Sequence, residues 1–396
     1  MQALEDVFIV AGARTAIGAF GGSLKDVAPI TLGSAAIREV MSRAGVTGEE
    51  VQHVVMGQVI PTESRDPYLA RVSAIQAGIT DKAPAMTVNR LCGSGLQSII
   101  SSAQLVKLGE CDIAVAGGAE SMSRAPYFLP DIRWGKKMGD SAAVDMLNGG
   151  LNDPFGHGHM GVTAENIAKR LDIDRAAQDA FAVESHRRAA HAISEGRFKS
   201  QIVPFELQTR KGQQMFDTDE HVRPGTTAED LAKLRPVFQK DGTVTAGNAS
   251  GMNDAAAAVV LMSKSAVERR SAKVAARIVS WAYAGVAPEV MGLGPVEAVP
   301  LALGRAGLTA DQMDVIESNE AFAAQACAVI GSLKLDPAKV NPNGGAIALG
   351  HPLGASGTIV AIKAMYELER IGGRYGLITL CIGGGQGIAM VIERVA

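Results

Sequence analysis

The chain has 396 residues, a formal net charge of −3, 47% hydrophobic and 20% charged residues, and only 4% aromatics. That length suits two or three packed units rather than one core, and the near-neutral charge gives no global reason to bind nucleic acid or an anionic membrane surface. Four scattered cysteines without a Cys-x-x-Cys pair exclude a disulfide scaffold and favour a reducing compartment, so a soluble, cytoplasmic protein is expected.

In chain order, MQALEDVFIVAGART places acidic residues before a short strand-like run at Phe8–Val10, unlike the basic flank and long apolar core of a signal peptide. Val51–Met56 reads as the next strand, and Ala85–Val88 is an apolar run that gives way to a helix. In that helix Leu96, Ile99, Ile100, Ala103 and Val106 follow helical spacing, while Ser98, Ser101, Ser102 and Leu105 opposite them carry no charge. A helix with nothing ionic on any face is predicted to be buried; this one is too short and polar to span a bilayer. Ile113–Ala116 is the following strand. From Met122 to Asn248 the character changes to charged, aromatic and turn-prone segments such as DTDEHVRPGTT, interrupted by helical patterns over 163–170 and 175–195. Ile278–Val279, Val315–Ser318 and Leu377–Leu380 are strand-like again. The alternation argues for α/β layers.

Two segments read alike: RAGVTGEEVQHVVMGQ from Arg43 and RAGLTADQMDVIESNE from Arg305. The same offset carries CGSG (Cys92–Gly95) onto GASG (Gly354–Gly357) and sets His351 opposite Asn89, which points to a duplicated unit. The middle segment is then an insertion, either covering one face or supplying a lid and binding region.

Four motifs carry chemistry. Cys92 in VNRLCGSGLQ is expected in the first turn of the buried helix, where the macrodipole and free backbone N–H groups favour thiolate; the bland alternative is a small buried apolar residue. His351 in GHPLGASG could take the Cys92 proton, or be a hydrogen-bonded loop histidine. Cys381 in CIGGGQG suggests a redox pair or an acid/base; zinc-type ligand spacing is absent, so no metal is expected. The following glycines lack the helix and acidic partner of a dinucleotide loop but could aim N–H groups at an oxyanion. Asn319 in ESNEAFAAQ is a helix cap or a donor to a substrate carbonyl.

CGSGLQ, NEAFAAQ, GHPLGASG and CIGGGQG, in this order and spacing, resemble the thiolase family of acetyl-CoA C-acyltransferases, above all the bacterial β-ketothiolases and acetoacetyl-CoA thiolases. The resemblance continues through AGGAESMSRAPY, HMGVTAEN, AKLRPVF and TVTAGNASGMNDAA and covers essentially the whole chain. It implies an α/β fold, a five-layered α-β-α-β-α sandwich of two duplicated halves. Residues 1–121 and 251–272 would form the N-terminal half, 122–250 an inserted loop domain, and 273–396 the C-terminal half, assembled as a homotetramer. It further implies reversible Claisen condensation and thiolysis of short-chain 3-oxoacyl-CoA, as in fatty-acid metabolism. Coenzyme A would be substrate and product, with no tightly bound cofactor. Cys92 would be the acylated nucleophile, His351 its base, and Cys381 the group that exchanges the α-proton. Asn319 and His351 would line one oxyanion hole, the N–H groups of Cys92 and Gly383 the other. Leu151, His159, Met160, Arg223 and Ser250 match CoA-contacting positions, with Phe238, Ala246, Met291 and Phe322 near the pantetheine or acyl group. Asp230 departs from the pattern, standing where relatives often carry an uncharged polar residue. Competing readings are a non-catalytic acyl-CoA binder and a nucleotide-dependent oxidoreductase; retention of both cysteines, the histidine and the asparagine speaks against the first. A Cys92–Cys381 disulfide switch is a further expectation.

Overall fold

The computed structural model describes residues 5–209 and 212–395. Strands β1 (Val7–Thr15), β2 (His53–Gly57), β3 (Ala85–Val88), β4 (Ile113–Ser121) and β5 (Asn253–Ser263) lie side by side in the order β3-β2-β4-β5-β1. A second set, β6 (Ala276–Gly285), β7 (Val315–Ser318), β8 (Tyr375–Ile382) and β9 (Gln386–Arg394), lies in the order β7-β8-β9-β6. Val340 bridges Ile316 beyond β7, where β3 stands in the first set. The pairing directions match as well. β2 is parallel to β4 as β7 is to β8, β3 beside β2 and the Val340 bridge beside β7 are parallel too, and the remaining pairs are antiparallel. Even the irregularities correspond, with a register shift between Ile9 and Ala11 in β1 and between Ile278 and Ser280 in β6. Among the described residues, strand pairing joins the sets at Phe8 with Arg277 and Ile9 with Ala276.

Helices α1 (Pro29–Ala44), α2 (Ser94–Lys107), α3 (Gly294–Ala306) and α4 (Leu353–Ile371) complete the layers. α1 packs on β1, β4 and β5 from outside, and α3 on β6, β8 and β9. Between the sets, α2 lies on β2 and β4, while α4 touches β4 and β5 on one side and β7 and β8 on the other. This is the five-layered α-β-α-β-α sandwich. Pro29 starts α1, where its missing N–H is not needed, and Gly45 (φ +62°) ends it in the left-handed conformation. Its Ile30, Ile37 and Val40 are fully buried, each contributing roughly 1.5–3 kcal/mol.

The uncharged helix predicted to be interior is α2, and the repeat explains how it packs. A Cβ on Gly95 would lie 2.7 Å from Thr358 N, and one on Gly357 would lie 2.2 Å from Leu96 N. The glycines matched by the sequence offset are therefore the two at which the central helices cross, backbone against backbone. Thr358 Oγ1 donates to Gly95 O across the crossing (3.0 Å).

The strand-like runs and helical patterns all appear, with shifted ends; the two helices expected in the middle segment are Met160–Arg170 and Arg175–Ser194, and short helices at Met146–Leu151 and Ala228–Ala232 were not expected. β5 and β9 were not expected. The chain leaves β4 at Ser121 and returns in β5 at Asn253, touching the sheet between them at Ile202–Val203, which runs parallel to the end of β1. In between, Asp219 takes two hydrogen bonds from Arg14 of β1 (2.7 and 2.9 Å) and one from Ile17 N (2.9 Å), all buried. Among the described residues no helix is long and apolar enough to cross a membrane.

Candidate active site

The strand β3 turns into α2 through a tight elbow at Asn89–Gly93. Leu91 sits at φ +47°, a conformation rare outside glycine, and side chains on either side hold it there. Asn89 Oδ1 accepts from Leu91 N (2.9 Å), while Ser94 Oγ accepts from Arg90 N (2.8 Å) and donates to Leu91 O (2.7 Å). Cys92 is presented just ahead of Gly93, the residue preceding the first helical position. A Cβ on Gly93 would fall 2.6 Å from Ile382 Cδ1, so the glycine admits the end of β8 from the other half.

The expected first-turn thiolate is corrected. Cys92 lies before the helix rather than in it, and burial pushes its thiol up to about 11, with the charge of Glu120 adding to the rise. The backbone N–H groups of Gly383 and of Cys92 itself act in the opposite direction without overcoming it. The resting sulfur is a thiol and needs a base. Cys381 is the penultimate residue of β8, fully buried; its thiol is also pushed up, first by burial and then by Cys92 beside it. Both cysteines are free.

His351 comes from the second half, immediately before α4. Its backbone N–H donates to Asn253 Oδ1 (2.9 Å), and Asn253 Nδ2 donates to Gly18 O (2.9 Å). Gly350 (φ +108°) allows this approach, since a Cβ there would lie 2.3 Å from the Asn253 side chain. His351 Nδ1 is 2.6 Å from Ser356 Oγ, which lies 3.0 Å from Pro352 O. With the hydroxyl proton given to that carbonyl, Oγ can only accept from Nδ1–H, which leaves the Nε2 lone pair free. Burial lowers the imidazole to about 4, so it is neutral at pH 7. Asn319 Nδ2 stands 3.5 Å from Nε2. It does not cap the next helix, whose cap position is Phe322.

These groups face one mostly apolar cavity of about 530 Å³, lined by Cys92, His351, Cys381 and Gly383. Leu151, His159, Met160, Arg223, Phe238, Ala246, Ser250, Met291 and Phe322 line it too, so every expected CoA-contacting residue is gathered there. Asn319 alone lies behind its wall, reaching the site through His351. His159 caps the helix Met160–Arg170 by accepting from Gly161 N (3.0 Å), and its ring stacks on Phe238 at 4.6 Å. Phe238 meets Phe322 edge-on at 6.2 Å. Gly161 makes this possible, because a Cβ there would enter the Phe238 ring.

Sequence reasoning missed Ser356 and Asn253, which orient His351, and His221, which lines the cavity beside Arg223. Ser356 was within reach of the repeat, since the offset pairs it with Ser94, the residue that braces the Cys92 elbow. His221 gave a fainter signal, one histidine two residues from Arg223 in a turn-prone segment.

The family models for the thiolase N-terminal and C-terminal domains match residues 7–265 and 272–394. The chain is 62% identical over 392 residues to the beta-ketothiolase BktB of Cupriavidus necator, covering 99% of this chain and 100% of that one. It is 50% identical over 394 residues to an acetyl-CoA acetyltransferase of Pseudomonas aeruginosa, covering 99% and 100%. Among solved structures, human mitochondrial 3-ketoacyl-CoA thiolase in complex with CoA matches with a TM-score of 0.97 at 46% identity, covering 100% of this chain and 99% of that one. The Bacillus anthracis acetyl-CoA acetyltransferase matches with a TM-score of 0.98 at 42% identity, each chain fully covered. Fold, cavity and sequence agree, and the chain belongs to the thiolase family of acyltransferases.

Proposed function

We propose that the chain is a β-ketothiolase that interconverts short-chain 3-oxoacyl-CoA plus CoA with acyl-CoA plus acetyl-CoA through an acyl-Cys92 intermediate. The observation that carries this is the convergence of two protonated thiols, a neutral imidazole and the Gly383 N–H on one cavity.

In thiolysis, His351 Nε2 takes the Cys92 proton while the sulfur attacks the 3-oxo carbon. The C2–C3 bond then breaks, leaving the acyl group on Cys92 and releasing acetyl-CoA as its enolate. Cys381 gives its proton to that carbanion, a role suited to a thiol whose resting form is protonated. CoA then donates its thiol proton to the Cys381 thiolate, attacks the acyl-Cys92 thioester and frees the Cys92 sulfur, which recovers its proton from His351. Condensation is the reverse path, with Cys381 as the base. Splitting carbon–carbon cleavage into two steps is the gain from covalent catalysis. His351, supported from behind by Asn319, would stabilise one oxyanion, and the N–H groups of Cys92 and Gly383 the other, each direct donor contributing on the order of 3–4 kcal/mol.

CoA would enter past Arg223, Ser250 and His159, with pantetheine along Met160, Phe238, Ala246, Met291 and Phe322 and Leu151 at the wall. The segment 122–250 would act as the loop domain between the halves 1–121 with 251–272 and 273–396. A homotetramer is supported by the apolar residues displayed between Tyr127 and Val144, where Trp134 is 92% and Met138 89% exposed. Paired free thiols in one pocket suit a reducing cytoplasm.

The test mixes protein, acetoacetyl-CoA and CoA and follows loss of the enolate absorbance. Native protein should consume the substrate and carry a trapped acetyl group on Cys92, whereas Cys92→Ala should do neither. Turnover that survives Cys92→Ala, or an acetyl group found on another residue, overturns the reading.

A further inference from the structure

A second, small cavity of about 20 Å³, sharing no lining residue with the main one, is bounded by Asn319 and Ser356, the two neighbours of the His351 ring, and by Glu317, Ser318 and Lys363. Every residue lining it is buried. Its polar groups are unevenly satisfied. Lys363 Nζ donates to Glu317 Oε2 (2.7 Å) and Gly344 O (2.6 Å), an ion pair with 2% and 1% side-chain exposure. The other carboxylate oxygen, Glu317 Oε1, has no partner, and neither has Ser318 Oγ. A bare carboxylate oxygen and a bare hydroxyl in an interior are both heavily penalised. The space is a little more than the 10–15 Å³ or so that one water centre needs, and three polar neighbours are enough to hold it.

We propose that this cavity is a water site and that its water joins Ser356 to the Glu317–Lys363 pair, making Ser356, Ser318 and Glu317 positioning residues for His351. The donor count closes. The water donates to Glu317 Oε1 and to the remaining lone pair of Ser356 Oγ, and accepts the Ser318 hydroxyl proton. Ser356 Oγ accepts the Nδ1–H of His351 and donates to Pro352 O. Both lone pairs of Ser356 Oγ are then occupied, one by Nδ1–H of His351 and one by the water, and its single proton is held by Pro352 O. Ser356 can therefore only accept from Nδ1, which fixes the tautomer with Nε2 unprotonated and able to take the Cys92 proton, and the water, held by Glu317 and Ser318, fixes where the Ser356 hydroxyl stands. Nothing in the chain touches substrate. It acts through His351, much as a buried carboxylate orients the histidine of a catalytic triad.

The proposal rests on the reading of His351 as the Cys92 base, and its test is separable from that of the whole activity. Alkylation of Cys92 by iodoacetamide needs the base but no CoA substrate. Ser356→Ala should lower kcat about 10–100-fold with KM unchanged, part of the roughly 10²–10⁴ that a positioned base supplies, and should slow alkylation. Ser318→Ala, which leaves the His351–Ser356 bond in place, should lower both rates by a smaller factor, about 3–10-fold, again at constant KM. A crystal structure of the native enzyme should show one ordered water within hydrogen-bond distance of Glu317 Oε1, Ser318 Oγ and Ser356 Oγ. Alkylation at the native rate in Ser356→Ala overturns the positioning role. A dry cavity, or native behaviour of Ser318→Ala, overturns the water link even if Ser356→Ala does not fold. A native protein that alkylates at Cys92 in this pattern but turns over no 3-oxoacyl-CoA would sink the proposed activity and leave the hydrogen-bond chain standing.

Discussion

Replacing Gly357 with alanine puts the two-half architecture under direct stress. The added Cβ would stand 2.2 Å from Leu96 N and 2.9 Å from both Gly95 C and Leu96 Cβ. An ordinary carbon contact needs about 3.4 Å, so the crossing must open by roughly 1.2 Å, and what it meets is mostly backbone that cannot rotate away. Overpacking of this kind costs about 1–3 kcal/mol, and backbone contact places it at the upper end. The catalytic effect should exceed the loss of stability. α4 carries Ser356 and follows His351 directly, while α2 follows Cys92, so opening the crossing separates base from nucleophile. A displacement of about 1 Å can cost about 10²-fold in rate. Thermal unfolding, kcat for acetoacetyl-CoA thiolysis and Cys92 alkylation should be measured together, with Gly304→Ala as control. Gly304 lies inside α3, and a Cβ added there would meet nothing within 4 Å, so the same substitution should stabilise by about 0.5–1 kcal/mol and leave kcat alone. If Gly357→Ala keeps native kcat and stability, the close crossing does not set the geometry of the site.

Asp219→Ala should destabilise the protein by about 3–5 kcal/mol, because it strands the fully buried Arg14 guanidinium. It should also raise KM for CoA, since Asp219 anchors the segment leading to His221 and Arg223; a change below about 1 kcal/mol in urea unfolding would refute this. Phe238→Ala removes the stack on His159 and the edge contact with Phe322 and should raise KM for CoA substrates about tenfold, equivalent to about 1.4 kcal/mol, with kcat little changed. A fall in kcat at native KM would assign Phe238 a different role. His186 is lowered to about 4 by burial and then by His221 and Arg223, so the fold holds it neutral. The unfolded chain takes that proton below about pH 6.5, so the stability it contributes is full above that pH and is lost toward pH 4, about 3 kcal/mol in all. Glu120 and Glu317, pushed up to about 7 by burial, work in the opposite sense over much of this window. They do so equally in a His186→Gln variant, whose Tm should therefore fall less steeply than that of the native protein between pH 6.5 and 4. Parallel slopes would refute the assignment.

The chemistry was legible in the sequence because it is local. The motifs around Cys92, Asn319, His351 and Cys381 each combine a reactive side chain with small residues at a strand–helix or strand–loop junction. The duplication was legible too, since Gly95 and Gly357 keep the same place in matching segments. What the sequence hid depends on neighbours far along the chain. NDAAAAVVLMS carries the residues of a helix as readily as those of a strand, and it is β5 because helices cover both of its faces and β1 and β4 take its hydrogen bonds. The state of Cys92 was hidden for the same reason. A local view supplies the helix end and its N–H groups, whereas the cavity walls, brought from 30 to 291 residues away in the insertion and the second half, supply the desolvation that raises the thiol. Propensity and spacing act over a few residues; desolvation, helix crossing and the hydrogen bonds that choose a histidine tautomer exist only once both halves have closed on each other.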